Sequence, residues 1–83
     1  METFDTLKPD NQVKVTIWGP DDSELYQGTN TGYHNIETAI SAAIDAAQLQ
    51  MDPKDCVFEV ANLSTGVTHK YRLNAHGHIK LII

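Results

Sequence analysis

Apolar and polar residues alternate without a break over Val13–Trp18, which is typical of a strand with one buried face. The next five residues, 19–23, contain glycine, proline, aspartate and serine, a composition that predicts a tight turn. Residues 24–27 are then predicted to return as a short second strand that closes a hairpin. Residues 28–32, with glycine at both ends, are predicted to be a loop.

From residue 36 to residue 51, apolar residues recur at intervals of three and four, which places them on one face of a helix. Asn35 precedes this segment and is a favourable N-cap. Pro53 is expected to end the helix, because proline disfavours the helical conformation at the residue before it. The predicted buried stripe consists of Ile36, Ala39, Ile40, Ala43, Ile44, Ala47 and Met51.

Three further strands are predicted at residues 56–62, Val67–Leu73 and 78–83. The two connecting loops end in Gly66 and Gly77, and glycine suits the left-handed position that closes a short hairpin. The element order is therefore ββαβββ. The expected fold class is α+β, a single domain in which one amphipathic helix packs on one face of a mainly antiparallel sheet.

The hydrophobic pattern also predicts the hairpin register, because a slip of one residue would move every apolar side chain to the opposite face. Phe58 is predicted to lie opposite Tyr71, and Leu73 opposite Ile79. Strand order stays open: the last strand lies either between two others or at an edge, where it would pair with its copy. The face under the helix is predicted to carry Val13, Val15, Ile17, Leu25, Phe58, Val60, Val67, Tyr71, Leu73, Ile79 and Leu81.

The chain has 83 residues, enough for one domain, which we assign to residues 12–83 after a flexible N-terminal lead, 1–11, in which Phe4 and Leu7 could dock. Its single cysteine, Cys56, cannot form an internal disulfide, although small secreted domains usually need several. The first residues do not resemble a signal peptide, and no apolar run approaches the ~20 residues of a membrane helix. We therefore expect a cytoplasmic protein that does not enter a membrane.

Charge is distributed unevenly along the chain, whose net charge is −5. All eleven acidic residues lie within residues 1–59, whereas residues 60–83 carry Lys70, Arg72 and Lys80 and no acid. An acidic protein is a poor general binder of DNA. The asymmetry indicates instead that the C-terminal strands carry a local positive surface.

Strand residues that point away from the helix form what we call the open face, since one helix covers only one side of a sheet. Glu59 is predicted to lie there opposite Lys70. Arg72 falls opposite Lys80, a like-charge pair that an acidic group would relieve. These residues are either ordinary solvated strand residues or a binding surface with an exposed Trp18 as its aromatic anchor. The candidate partner-binding residues are Lys14, Trp18, Lys70, Arg72, Lys80 and Ile82.

No combination of residues predicts catalysis or a cofactor. His76 and His78 are two residues apart, but His76 falls in a predicted loop and no ligand pair has zinc-site spacing. The glycine-containing segment 28–32 lacks the lysine and the parallel strand of a phosphate-binding loop. The acidic residues Asp21 and Asp22 are expected only to fix a turn. We therefore expect no metal, no cofactor and no enzymatic activity.

The leading hypothesis is a small non-enzymatic protein-interaction or regulatory module that binds a protein partner, or a second copy of itself as a homodimer. The first alternative is a nucleic-acid-binding module that uses the cations of the open face. The second alternative is an acidic inhibitor of a nucleic-acid enzyme, of the phage or plasmid type. Its acidic surface would combine Glu2, Asp5, Asp10, Glu37, Asp45 and Asp52.

Overall fold

A computed structural model describes residues 7–83 and places one helix on a five-stranded sheet. The elements in chain order are β1 (Val13–Trp18), β2 (Glu24–Asn30), α1 (Ile36–Ala47), a short 3-10 helix (Pro53–Asp55), β3 (Val57–Asn62), β4 (Val67–Leu73) and β5 (Ile79–Leu81). This order confirms the predicted single ββαβββ domain of the α+β class. Neither helix in the described range is long and apolar enough to cross a membrane.

Each neighbouring pair of strands is antiparallel, and the order across the sheet is β2-β1-β3-β4-β5. The predicted register is confirmed, because Phe58 pairs with Tyr71 and Leu73 pairs with Ile79. β5 therefore lies at an edge of the sheet. The sequence pattern allows either a central or an edge position for this strand, and the central alternative is wrong.

Glycine closes both C-terminal hairpins in the left-handed conformation, with φ of 80° at Gly66 and 82° at Gly77. Other residues would be strained there, because a Cβ disfavours positive φ. In the second turn, Asn74 Oδ1 accepts hydrogen bonds from the N–H groups of His76 and His78, at 2.9 and 3.0 Å. The turns thus support the same register that the hydrophobic pattern predicts.

The helix begins at the predicted position. Asn35 Oδ1 accepts a hydrogen bond from the Thr38 N–H at 2.8 Å, as an N-cap does. Glu37 lies in the first turn, where a negative charge interacts favourably with the helix dipole. The buried positions on the helix are Ile36, Ala39, Ile40 and Ala43.

The helix ends earlier than predicted, at Ala47 and not at Pro53. Gln48 adopts the left-handed conformation, with φ of 50°, and the chain turns there. After the turn, Leu49 packs against the core while Met51 is 39% exposed. The prediction that Met51 belongs to the buried stripe is therefore wrong, because the chain has left the helix before reaching it.

The core lies between α1 and the middle of the sheet. Ile17 and Phe58 are fully buried, and burying a side chain of this size contributes roughly 1.5–3 kcal/mol. The helix contacts mainly β1, β2 and β3. Val67 and Leu81, on the outer strands of the same face, are 50% and 37% exposed. The prediction that the helix buries this whole face is wrong at these two positions.

The second strand differs from its prediction in length and in the residue that it buries. It continues to Asn30, so most of the predicted loop is strand. Its register with β1 shifts between Ile17 and Trp18, and the shift leaves Leu25 between paired residues. Tyr26 packs against the core in its place, and Leu25 is 37% exposed. The assignment of Leu25 to the buried face is therefore wrong.

Residues before the predicted domain boundary contribute to the core. Leu7 is 8% exposed and its N–H donates to the His34 carbonyl at 3.1 Å. The Pro9 carbonyl accepts a hydrogen bond from the Gly32 N–H at 2.8 Å. The packed structure therefore begins by residue 7, ahead of the boundary at residue 12. Positions 1–6 of the predicted lead lie outside the described residues.

Candidate functional site

Side chains on the open face stand in rows across the strands, because neighbouring strands are in register. The row nearest the β1–β2 turn consists of Trp18, Val57, Arg72 and Lys80. The next row consists of Thr16, Glu59, Lys70 and Ile82. Both rows combine apolar side chains with positive charges, and Glu59 is the acid within them.

An open groove of about 570 Å³ lies over these two rows. We call it the Trp18 groove. Four of the six residues predicted to bind a partner line it: Trp18, Lys70, Arg72 and Ile82. The fold thus brings these four side chains from β1, β4 and the chain after β5 to one place.

Two of the predicted residues, Lys14 and Lys80, do not line the groove. Lys14 lies opposite Ala61, one row further along the sheet. Lys80 lies opposite Arg72, at the edge of the row that the groove crosses. Both remain on the open face, and Lys80 is close enough in the register to act on the same ligand.

Three lining residues are missing from the predicted set: Asp22, Val57 and Ile83. Strand alternation places Val57 on the open face, so the sequence contained a signal for it. Asp22 comes from the β1–β2 turn, where its φ is 64°. Alternation says nothing about the direction of a turn, so the contribution of Asp22 could only be found in the structure.

Trp18 is half-buried, not exposed as predicted. Its Nε1–H donates a hydrogen bond to Glu59 Oε1 at 2.9 Å, as partly buried indoles commonly do. Thr16, which stands beside Glu59 in the next row, is 2% exposed. Thr16 is therefore covered, and the hydrogen bond to Glu59 orients the Trp18 ring at the border of the groove.

Lys70 and Arg72 have no carboxylate within 4.0 Å in the described part of the chain. Glu59 lies opposite Lys70 in the register, as predicted, but its carboxylate accepts from Trp18 and makes no ion pair with the lysine. Asp22 is the acid that lines the groove itself. The groove therefore presents two cations beside an apolar surface, and neither cation forms an ion pair with Asp22 or with another carboxylate of residues 7–83.

The backbone after β5 remains bonded to β4 beyond the last strand residue. The Ile82 N–H donates to the Lys70 carbonyl at 2.8 Å, and the Lys70 N–H donates to the Ile83 oxygen at 2.9 Å. The side chains of Ile82 and Ile83 are 44% and 67% exposed. The groove therefore has an apolar wall on an ordered backbone, so binding there requires little ordering of the chain.

The histidines and the cysteine are not assembled into a site. No group of three metal-ligating side chains occurs among residues 7–83, and the rings of His76 and His78 are 6.5 Å apart. Cys56 is fully buried, and its burial raises the pKa of the thiol, with the charges of Asp55 and Asp52 adding to the effect. A thiol held in its protonated form is a poor nucleophile and a poor metal ligand.

The acidic residues before β2 hold a turn. Asp21 Oδ1 accepts hydrogen bonds from the Ser23 hydroxyl at 2.6 Å and from the Ser23 N–H at 3.3 Å. These bonds hold the pKa of Asp21 below its ordinary value, because they favour the charged carboxylate. The role predicted for Asp21 from turn composition is confirmed.

Comparison with known proteins supplies no functional information: the chain matches no family model, no curated protein and no solved structure. The case for the Trp18 groove therefore depends on its own residues. Its distinguishing property is the proximity of the unpaired cations to exposed isoleucine and half-buried tryptophan.

Proposed function

We propose that the chain is a small, non-enzymatic, cytoplasmic interaction module whose Trp18 groove binds an acidic segment of a partner protein. The observation that carries the proposal is that Lys70 and Arg72 border an apolar groove without a carboxylate within 4.0 Å among residues 7–83. A partner carboxylate between them would form charge-assisted hydrogen bonds, which are stronger than neutral ones. Trp18 and Ile82 would supply apolar contact area.

The like-charge pair at the edge of the groove supports an acidic ligand. Arg72 lies directly opposite Lys80 on the neighbouring strand, an arrangement that destabilises a sheet by roughly a few tenths of a kcal/mol. A carboxylate of the partner shared between the two side chains would remove this repulsion. Part of the affinity would then come from relief of a cost that the free protein carries.

A nucleic-acid ligand has less support. Bases stack on exposed aromatic faces, whereas Trp18 is half-buried and bonded to Glu59. A nucleic-acid backbone carries a phosphate at every nucleotide, so a net charge of −5 opposes it along its whole length. Lys14, which would extend a track of phosphate contacts, lies outside the groove.

Self-association is the second candidate. It is supported by the edge position of β5 and by the exposure of Leu81, Ile82 and Ile83. Exposed apolar residues at a sheet edge are a common site of pairing between copies. A homodimer of this kind would place the Trp18 grooves of both copies near the shared edge.

The inhibitor hypothesis would use a different surface. Glu37 and Asp45 are exposed on α1, and they line a shallow depression on the outer side of the helix. Glu2 and Asp5 lie outside the described residues. This hypothesis predicts that charge changes on α1 abolish function, whereas changes in the Trp18 groove do not.

The test compares two double variants with equal changes in net charge. The first, K70E with R72E, reverses both groove cations. The second, K8E with K54E, reverses two lysines that lie outside the groove and is the matched control. Each protein is used to capture partners from a lysate of the source organism, followed by mass spectrometry, with nuclease treatment of a duplicate sample.

We expect a stoichiometric protein partner that survives nuclease, binds wild type and control, and is lost with the groove variant. Retention by the groove variant would contradict the proposal, and loss that depends on nuclease would favour the nucleic-acid alternative. Trp18 is the single tryptophan of the chain, so its emission reports binding of the purified partner directly at the groove.

A further inference from the structure

The edge strand β5 presents backbone hydrogen-bonding groups that point away from the sheet. The bond from the Ile82 N–H to the Lys70 carbonyl shows that residue 82 faces β4. Because direction alternates along an antiparallel strand, Lys80 also faces β4, whereas the N–H and C=O groups of Ile79 and Leu81 face outward. In the described chain no strand lies on that side of β5. Two residues of β5 can therefore accept an added strand.

On the helix side, β5 borders a notch of about 180 Å³ between α1 and the last hairpin. The notch exists because the helix packs mainly on β1, β2 and β3. Its lining comprises the apolar side chains Ile40, Ile44, Leu73 and Ile79, together with Glu37, Ser41 and Gly77. An apolar side chain of an added strand would be removed from water there, at roughly 25 cal/mol for each Å² buried.

On the open face, the same edge is positive. Lys80 lies opposite Arg72, and residues 60–83 contain no acid. The Trp18 groove begins at Arg72 and Ile82, immediately beside this edge. A strand beside β5 would therefore meet apolar side chains next to Glu37 on one face and a cationic environment on the other.

We propose that the acidic partner segment binds as an antiparallel sixth strand on β5, with alternating apolar and acidic side chains. The apolar side chains enter the notch beside Ile79, and the acidic ones lie over Arg72 and Lys80. Backbone hydrogen bonds supply affinity in this mode of recognition, and the alternating side chains supply specificity. The inference rests on the proposed function and specifies how the partner is held.

Charge complementarity favours this partner over a second copy of the chain. A copy of β5 would contribute Lys80 and no acid to the new strand pair. Positive charges would then accumulate on the open face of the joint sheet, where Arg72 and Lys80 already oppose one another. An alternating apolar and acidic strand removes this repulsion.

The first experiment uses a synthetic heptapeptide of alternating valine and glutamate, acetylated and amidated, with a valine and lysine peptide as control. Two further versions carry N-methyl groups on the valine amides or on the glutamate amides. In an antiparallel pair the residues facing Ile79 and Leu81 are the valines, so their N–H groups point at β5. We expect methylation of valine to weaken binding about tenfold or more, and methylation of glutamate to have little effect.

The second experiment places proline in the protein. L81P removes an outward N–H from β5, and T29P removes an outward N–H from the opposite edge, by the same alternation along β2. Neither substitution breaks a bond within the sheet, so both proteins should fold. We expect L81P to abolish binding of the parent peptide, measured by calorimetry, and T29P to preserve it.

The outcomes separate the inference from the proposed function. If K70E with R72E weakens peptide binding while both methylated peptides bind equally, the groove function stands and strand addition is overturned. Binding lost on methylation of glutamate alone would overturn the antiparallel geometry. If no version of the acidic peptide binds, the proposed function fails with the inference, and a dimer that L81P dissociates would assign the edge to a second copy.

Discussion

Phe58 and Glu59 are neighbours on β3, and they show how differently the two faces of the sheet are held together. Phe58 points toward α1 and is fully buried in an apolar cluster. Glu59 points to the open face and is half-buried, and its carboxylate accepts a hydrogen bond from Trp18. One face depends on burial of apolar area, and the other on a single polar contact between two side chains.

The difference separates stability from recognition. Free energy of folding comes mainly from the covered face, where apolar surface leaves water. On the open face, the Trp18–Glu59 bond engages the acid that lies opposite Lys70. Lys70 is thereby left without a carboxylate partner in the described range. The hydrogen bond that engages Glu59 therefore keeps Lys70 available for binding.

The largest effect on stability is expected at Phe58, in comparison with its neighbour Val57, which faces the opposite side of the sheet. F58A should lower the free energy of unfolding by about 3–5 kcal/mol, because it removes a fully buried aromatic side chain and leaves a cavity. V57A, on the open face, should lower it by less than about 1 kcal/mol. Urea titration followed by Trp18 emission measures both. Equal losses would show that the open face is buried against another molecule in solution.

A smaller effect is expected at the start of the helix that covers the core. N35A removes the side-chain oxygen that accepts from the Thr38 N–H, and should cost about 1 kcal/mol of stability. N35S retains an acceptor and should recover most of the loss. Thermal unfolding followed by circular dichroism compares the three proteins. If the stability of N35A is unchanged, packing alone holds the helix on the sheet.

For E59Q we expect the smallest change in stability and an increase in binding affinity. The amide oxygen still accepts from the Trp18 indole, so stability should change by no more than about 1 kcal/mol. Loss of a negative charge beside Lys70 should strengthen binding of the valine and glutamate peptide. D45N, with the same charge change on the outer side of α1, is the control. Equal gains in both variants would attribute the effect to net charge alone.

Several features of the fold could be predicted because they depend on local patterns. Alternation over Val13–Trp18 defines β1, and the Asn35 cap defines the start of α1. The pairing of Phe58 with Tyr71 follows from keeping apolar residues on one face across a short turn. Each of these depends on residues close together in the chain, where spacing and turn chemistry are sufficient.

Other features depend on contacts between distant segments. Leu25 and Tyr26 are both apolar enough for the core, and the shift in register between β1 and β2 selects Tyr26. Leu49 and Met51 compete in the same way, and the turn at Gln48 selects Leu49. In each case two residues that are close in the chain could both fill the core. Packing against the rest of the molecule decides between them, and no local pattern records it.

The properties of the candidate site also fall into those that local patterns predict and those that depend on distant segments. The sequence by itself determined that Trp18, Lys70, Arg72 and Ile82 lie on one face, because strand alternation assigns faces with a period of two. Tertiary structure alone decided that β5 lies at an edge, that Asp22 reaches the groove, and that Glu59 bonds to Trp18. Strand order and side-chain pairing depend on segments far apart in the chain, which only the folded molecule brings together.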